Sequence, residues 1–118
     1  MITPGKHDFT LYQGATLYKA FTWKQNGLPV DLTGYTGRSQ FRSAIDSPTP
    51  LLDLTSANGG ILIPNPVDGT VYLYATDAAT AAINVTKMVY DLELIAPVTL
   101  HVVRLVQGQC VLDPEVTR

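Results

Sequence analysis

The sequence predicts an all-β domain, an immunoglobulin-like antiparallel β-sandwich with one short connecting helix. Apolar residues alternate with polar ones at a period of two in several short runs. Turn residues interrupt these runs about every ten positions. Only one segment has a helical composition. About seven to nine short strands in one chain favour a sandwich over a closed barrel.

The first strands are predicted in the N-terminal third of the chain. Residues 8–12 alternate and stop before Gly14, and residues 16–24 form a longer strand signal. The apolar face of this second strand consists of Leu17, Phe21 and Trp23. Asn26-Gly27 follows, and both residues tolerate positive φ, so the pair predicts a tight hairpin.

The middle of the chain adds further strands and the helix. Strands are predicted over residues 38–42, 51–55, 61–63 and 70–75. Residues 77–83 are rich in alanine, and either Thr76 or Asp77 could cap a helix there. They predict about two helical turns that cross one end of the sheets.

The C-terminal segment reads as the end of an antiparallel sheet. In residues 88–95, Tyr90, Leu92 and Leu94 fall on one face. A short connection leads into an apolar run over residues 100–106. We interpret Gly108 as the break before a third run over residues 109–112.

The predicted domain organisation is a flexible N-terminal arm, residues 1–7, followed by a single sandwich domain, residues 8–118. The arm is polar and contains Pro4 and Gly5, so nothing in it favours ordering alone. We expect Ile2, Thr3 and Pro4 to contact a partner subunit. The N-terminus lacks the apolar segment of a signal peptide.

Composition limits the function classes. Charged residues make up 15% of the chain, against about 25% in average proteins. This favours a surface covered by partners over a well-packed monomer with a polar surface, the open alternative. The net charge is −2 without a basic stripe, so no nucleic-acid partner is expected. No apolar run approaches about 18 residues, so no membrane partner is expected.

No reactive centre is predicted, so the chain is expected not to be an enzyme and to use no cofactor or metal. His7 and His101 lack the neighbouring ligands that a metal site needs. Asp91 and Glu93 share one strand face, but we interpret them as solvated acids without burial to raise a pKa. The single cysteine, Cys110, excludes an internal disulfide and is expected to be a buried, inert thiol.

The tyrosines are the candidate binding residues. Tyr18, Tyr72 and Tyr74 are predicted on outward strand faces, where exposed tyrosines mark interfaces. Burial of these rings in the core, or on a second, half-buried face, is the open alternative. Tyr35 is interpreted as a corner residue whose hydroxyl bonds the backbone near a strand start.

Four segments carry a family resemblance: residues 31–38 (DLTGYTGR), 90–94 (YDLEL), 104–108 (RLVQG) and 114–118 (PEVTR). Their order and spacing resemble small virion proteins of tailed phages. They are similar in particular to the immunoglobulin-like N-terminal domain of phage baseplate upper proteins. The resemblance covers residues 9–118. It departs at residues 96–99, where a turn containing glycine or asparagine is expected.

The resemblance implies a structural protein of a bacteriophage virion, made in the host cytoplasm. It implies a tail, baseplate or tail-fibre attachment component that works by protein–protein contacts. Its partners would be tail, fibre or capsid subunits, and it would be present in multiple copies as a homo-oligomer. A capsid decoration protein is the first alternative. A carbohydrate-binding module that uses Tyr72, Tyr74 or Trp23 is the second.

Overall fold

Two β-sheets pack face to face in the computed structural model, which describes residues 5–117. This architecture confirms the predicted all-β sandwich. The strands are β1 (Gly5–Lys6), β2 (Phe9–Tyr12), β3 (Leu17–Thr22), β4 (Lys24–Gln25), β5 (Leu28–Pro29), β6 (Thr36–Arg42), β7 (Leu52–Thr55), β8 (Ile61–Leu62), β9 (Thr70–Ala75), β10 (Lys87–Ile95) and β11 (Val102–Asp113). A 3-10 helix spans Pro66–Asp68, and the helix α1 spans Asp77–Ala81.

The strand order is that of an immunoglobulin-like sandwich. In the larger sheet β11 lies next to β1 and β2 on one side, and β10, β6 and β7 follow in that order on the other. The smaller sheet has the order β3, β9, β8, and β4 pairs with β5 in a separate hairpin. The pairing of β1 and β2 with β11 is parallel. The larger sheet is therefore mixed, with these two parallel pairings added to the antiparallel sandwich that was predicted.

The core lies between the sheets and follows from the alternation of each strand. Phe41, Leu92 and Leu94 of the larger sheet and Val71 and Leu73 of the smaller one have no exposed surface. Burial of each such side chain stabilises the fold by about 1.5–3 kcal/mol. The alternation predicted for these strands is confirmed, because inner positions are buried and outer ones are not.

The predicted hairpin and helix are both present. Asn26 and Gly27 have φ values of 53° and 77°, as a two-residue hairpin turn requires. The helix α1 begins after Thr76, whose hydroxyl accepts from the Ala79 amide at 3.2 Å. Buried Thr80 donates its hydroxyl to the Ala15 carbonyl at 2.8 Å, which ties the helix to the β2–β3 turn.

The predicted break at Gly108 is wrong, because β11 runs through it as one strand of 12 residues. A Cβ at Gly108 would lie 2.1 Å from the His7 carbonyl oxygen. Glycine is therefore used here for close approach of another strand and not for a turn. The register of β10 and β11 shifts between Leu92 and Glu93, and the bulge leaves both Leu105 and Val106 buried.

The N-terminal strand is kinked where it passes Gly108. The His7 amide donates to the Gln107 carbonyl, but the His7 carbonyl accepts from the Tyr90 hydroxyl. The Asp8 carboxylate takes the place of that carbonyl and accepts from the Gln109 amide at 2.9 Å. The pairing with β11 then resumes in the same register at Phe9.

The flexible arm predicted over residues 1–7 is corrected for residues 5–7. Gly5 and Lys6 pair with Val106 and Gln107 of β11, and His7 continues the pairing. The outer edge of β11 offers amides and carbonyls that would otherwise be unpaired, and residues 5–7 bond them. Residues 1–4 lie outside the described residues.

The tyrosine corner predicted at Tyr35 is also corrected. The Tyr35 ring packs edge-on against Trp23, with ring centroids 6.2 Å apart. The tyrosine hydroxyl that bonds distant backbone belongs to Tyr90, on β10.

In residues 5–117 no helix is long and apolar enough to cross a membrane.

Candidate interaction surfaces

The outer face of the smaller sheet carries a cluster of three tyrosines, which we call the tyrosine face. Tyr18 on β3 lies opposite Tyr74 on β9, and Tyr72 is two residues before Tyr74. The rings of Tyr18 and Tyr72 stack with centroids 4.6 Å apart, and Tyr74 meets Tyr18 edge-on at 6.5 Å. Tyr18 is 58% exposed, and the other two rings are half-buried.

The tyrosine face has no charged side chain among its strand positions. The remaining outward residues are Ala20, Thr22, Leu62 and Thr70. The hydroxyls of Thr22 and Thr70 bond each other at 3.0 Å. An uncharged, tyrosine-rich patch of this kind loses little on desolvation and offers large aromatic contact area, as interface cores do.

The structure brings Tyr18, Tyr72 and Tyr74 together, as three members of the predicted interface set. The other three members, Ile2, Thr3 and Pro4, lie outside the described residues. The proposed use of Trp23 in sugar binding is wrong as stated, because Trp23 is only 6% exposed and packs in the core. Its position was predicted on the same strand face as Leu17 and Phe21, which is the inner face.

The outer face of the larger sheet is charged. Arg38 on β6 donates to Glu93 on β10 at 2.7 Å. Arg104 on β11 lies 3.7 Å from Asp91 and 3.8 Å from Glu93. Arginine and carboxylate thus alternate across three neighbouring strands. Because both arginines are about half exposed, each pair contributes no more than about 1 kcal/mol.

The environment of Asp91 differs from the solvated one that we expected. Asp91 is half-buried, and this burial raises the pKa of its carboxyl above the ordinary value. The neighbouring Glu93 charge raises that pKa further, while Arg104 and Arg38 oppose the shift. The expectation of two unperturbed acids is therefore wrong for Asp91.

A shallow depression of about 400 Å³ lies on this charged face. It runs between the N-terminal strand, the central strands and the segment after β6. Its lining includes Lys6, Gln40, Arg42, Ile45, Asp91 and Arg104. The Arg42 guanidinium is held by the Gln40 side chain and the Ser47 carbonyl. The depression is open, and its lining lacks an exposed aromatic platform.

The hairpin between β10 and β11 forms an apolar tip that the sequence did not identify as a surface. Val98 is 89% exposed and Leu100 is 67% exposed. Leu100 has a φ of 60°, which a leucine adopts only at a cost of about 1–2 kcal/mol. His101 lies in this connection. Its alternation with Leu100 and Val102 had predicted a strand position. The absence of glycine or asparagine at this turn was the signal for an unusual tip.

Cys110 and His7, which are side chains that could carry chemistry, are engaged in packing. Cys110 has no exposed surface, and burial raises the pKa of its thiol to about 12. The His7 ring stacks on Phe9 and meets Phe21 edge-on. Within residues 5–117, no three His, Cys, Asp or Glu side chains are grouped closely enough to hold a metal ion.

The fold and its surfaces define an immunoglobulin-like β-sandwich domain with one aromatic and one charged sheet face. Among solved structures it is similar to the N-terminal domain of phage TP901-1 ORF48, with a TM-score of 0.59 and 10% sequence identity. The alignment covers 94% of this chain and 90% of that one. The predicted resemblance to such a phage domain is confirmed at the level of the fold. Neither a protein-family model nor a curated protein sequence matches the chain.

Proposed function

We propose that the protein is a structural component of a bacteriophage virion, in the tail baseplate or the fibre attachment apparatus. The observation that carries this proposal is the likeness of nearly the whole chain to the N-terminal domain of a phage protein. The expected resemblance of residues 9–118 to baseplate upper proteins is consistent with the same assignment. The proposed partners are other virion subunits, and the action is contact without catalysis.

The proposed mechanism is docking through the tyrosine face. Its three rings sit on paired strands whose inner residues, such as Val71 and Leu73, are fully buried. The backbone beneath the rings is therefore held rigidly, so little conformational freedom is lost when a partner covers them. The charged face would supply the orientation, because alternating arginines and carboxylates discriminate between partner surfaces.

The location is tested by mass spectrometry and immunogold electron microscopy of purified phage particles from the strain that carries the gene. Label on the tail or its tip, with the chain present in the particle, is the expected result. Label over the head would make the protein a capsid decoration protein. A chain that is missing from the particles would overturn the virion assignment.

The docking surface is tested by alanine variants of matched exposure. Tyr18→Ala removes the most exposed ring of the tyrosine face, and Tyr12→Ala removes a ring of 59% exposure outside it. We expect reduced incorporation into particles for Tyr18→Ala and normal incorporation for Tyr12→Ala. Equal incorporation of both variants would rule out this face. Binding of purified protein to host polysaccharide, lost in Tyr18→Ala, would favour the carbohydrate-binding alternative.

A further inference from the structure

The outer edge of β3 presents backbone groups that have no partner in residues 5–117. Tyr74 donates its amide to the Gly60 carbonyl on the β8 side. The backbone amides and carbonyls of the even-numbered residues of β9 therefore point toward β8. The backbone groups of the odd-numbered residues of β9 therefore bond β3. The bond from the Trp23 amide to the Gly69 carbonyl, just beyond the ends of the two strands, follows the same pattern. It follows that the amides and carbonyls of Tyr18, Ala20 and Thr22 point away from the sheet.

The other sheet edges are blocked or short. At β7 the Asn58 side chain donates to the Asp53 carbonyl at 2.8 Å and accepts from the Thr55 amide at 2.9 Å. The strand β8 has two residues, and the N-terminal strand is interrupted by the kink at His7. By contrast β3 has six residues and contains no proline. Proteins ordinarily protect an edge of that length.

We propose that β3 pairs antiparallel with β3 of a second copy of this chain, in a register centred on Ala20. This register places Ala20 opposite Ala20 of the second copy and Tyr18 opposite Thr22. All three outward residues of each strand then form hydrogen-bonded pairs. A shift by two residues in either direction leaves only two such pairs within the strand, so the hydrogen bonds alone select the Ala20 register.

The charge of Lys19 favours the Ala20 register over the register centred on Lys19. In the Ala20 register, Lys19 lies opposite Phe21 of the second copy, and an ammonium group beside an aromatic ring is attracted to it. The Lys19 ammonium already lies 5.5 Å from the Phe9 ring centroid and 6.0 Å from that of Phe21. A register centred on Lys19 would instead place two ammonium groups opposite each other, which is destabilising.

The pairing would join the two smaller sheets into one continuous sheet. The outward side chains at the junction are those of the tyrosine face, so the two faces would form one larger aromatic surface. The inference concerns the purified chain and does not depend on the virion assignment. Its failure would leave the proposed function standing, and loss of the chain from particles would leave the dimer standing.

Sedimentation velocity of the purified chain across the micromolar range tests the pairing. We expect a reversible dimer in the wild type. Ala20→Pro should weaken it by at least about tenfold, because proline removes the outward amide at the centre of the register. The fold should survive, since that amide bonds nothing within the sheet. Ala20→Ser, which keeps the amide, is the matched control and should dimerise normally.

Oxidative cross-linking tests the register. Hydrogen-bonded antiparallel residues have Cα atoms about 5.5 Å apart, which is within the range of a disulfide. Ala20→Cys should therefore form a covalent dimer, and Lys19→Cys should not. Cross-linking at position 19 alone would overturn the register. A wild type that stays monomeric throughout would overturn the pairing, and dimerisation only of Lys19→Ala would show that Lys19 guards the edge.

Discussion

Replacement of Gly108 by alanine should displace the kink at His7 and Asp8 of the N-terminal strand from β11. The new Cβ would lie 2.1 Å from the His7 carbonyl oxygen and 2.7 Å from its carbon. Both atoms belong to the backbone, so no side-chain rotation relieves the clash. The kink at His7 and Asp8 has to move away from β11, and the bonds that hold it are lost with it.

The size of the effect follows from those bonds. The His7 amide bonds the Gln107 carbonyl, the Tyr90 hydroxyl bonds the His7 carbonyl, and the Asp8 carboxylate bonds the Gln109 amide. At about 1 kcal/mol net for each bond, their loss lowers the free energy of unfolding by about 3 kcal/mol. For a domain of this size that corresponds to a decrease in Tm of roughly 10–15 °C.

Guanidinium titration followed by the fluorescence of the buried Trp23 measures the change, and hydrogen exchange locates it. We expect faster exchange of the Gln107-bonded His7 amide and of the Gln109 amide in Gly108→Ala. Gly5→Ala is the matched control in the same pairing, because its Cβ would meet only the Leu105 carbonyl at 3.6 Å. A Gly108→Ala variant within about 0.5 kcal/mol of wild type, with both amides still protected, would refute the steric argument.

Three further variants are expected to change stability in defined directions. Burial raises the pKa of Cys110 from 9.0 to about 12, so the folded state holds this proton more tightly than the unfolded state. Stability should therefore fall as the pH rises above about 9. The guanidinium midpoint of Cys110→Ala should decline less steeply at alkaline pH than that of the wild type, and an unchanged slope would contradict this. Burial also raises the pKa of Asp91, so its charged form costs stability at pH 7. Thermal melts should show Asp91→Asn to be more stable than the wild type at pH 7, by less than about 1 kcal/mol, and this advantage should disappear near pH 3. A variant that is less stable at pH 7 would show that the contacts of Asp91 with arginine dominate. Leu100→Asn should raise stability by about 0.5–1 kcal/mol in the same melts, because asparagine tolerates positive φ; an equal gain from Val98→Asn, whose φ is not positive, would exclude backbone strain as the cause.

The strands with strict alternation were predictable from the sequence because their environment is local. The strand predicted over residues 70–75 is observed as Thr70–Ala75, with Val71 and Leu73 inside. A one-residue error would have moved every apolar side chain to the solvent face. The Asn26-Gly27 hairpin was equally predictable, since its turn depends on two adjacent residues.

The role of Gly108 was not predictable in the same way. A glycine after an apolar run is compatible with a turn, a bulge or a close contact, and the choice here is made by the His7 carbonyl. That contact joins segments separated by about 100 residues, as the bond from Gln109 to Asp8 spans 101 positions. The ordering of residues 5–7 was missed for the same reason.

The tyrosine face was predictable in part. Alternation along a strand places Tyr72 and Tyr74 on one face, away from the buried residues of β9. It does not say which strand supplies the third ring. Tyr18 joins them because β3 pairs with β9 in a register that sets Tyr18 opposite Tyr74, a long-range choice made by the packing of both sheets.

The parallel pairing of the N-terminal strand with β11 has a consequence for synthesis on the ribosome. Of the eleven strands, β1 and β2 are synthesised before the others, yet within residues 5–117 they bond only β11, which is synthesised after the others. Until β11 emerges, Phe9 and Leu11 have no strand beside them, and β10 presents an open edge. The nascent chain therefore completes its larger sheet in one late step, and a nascent-chain force profile should show its main peak only after Asp113 has cleared the tunnel.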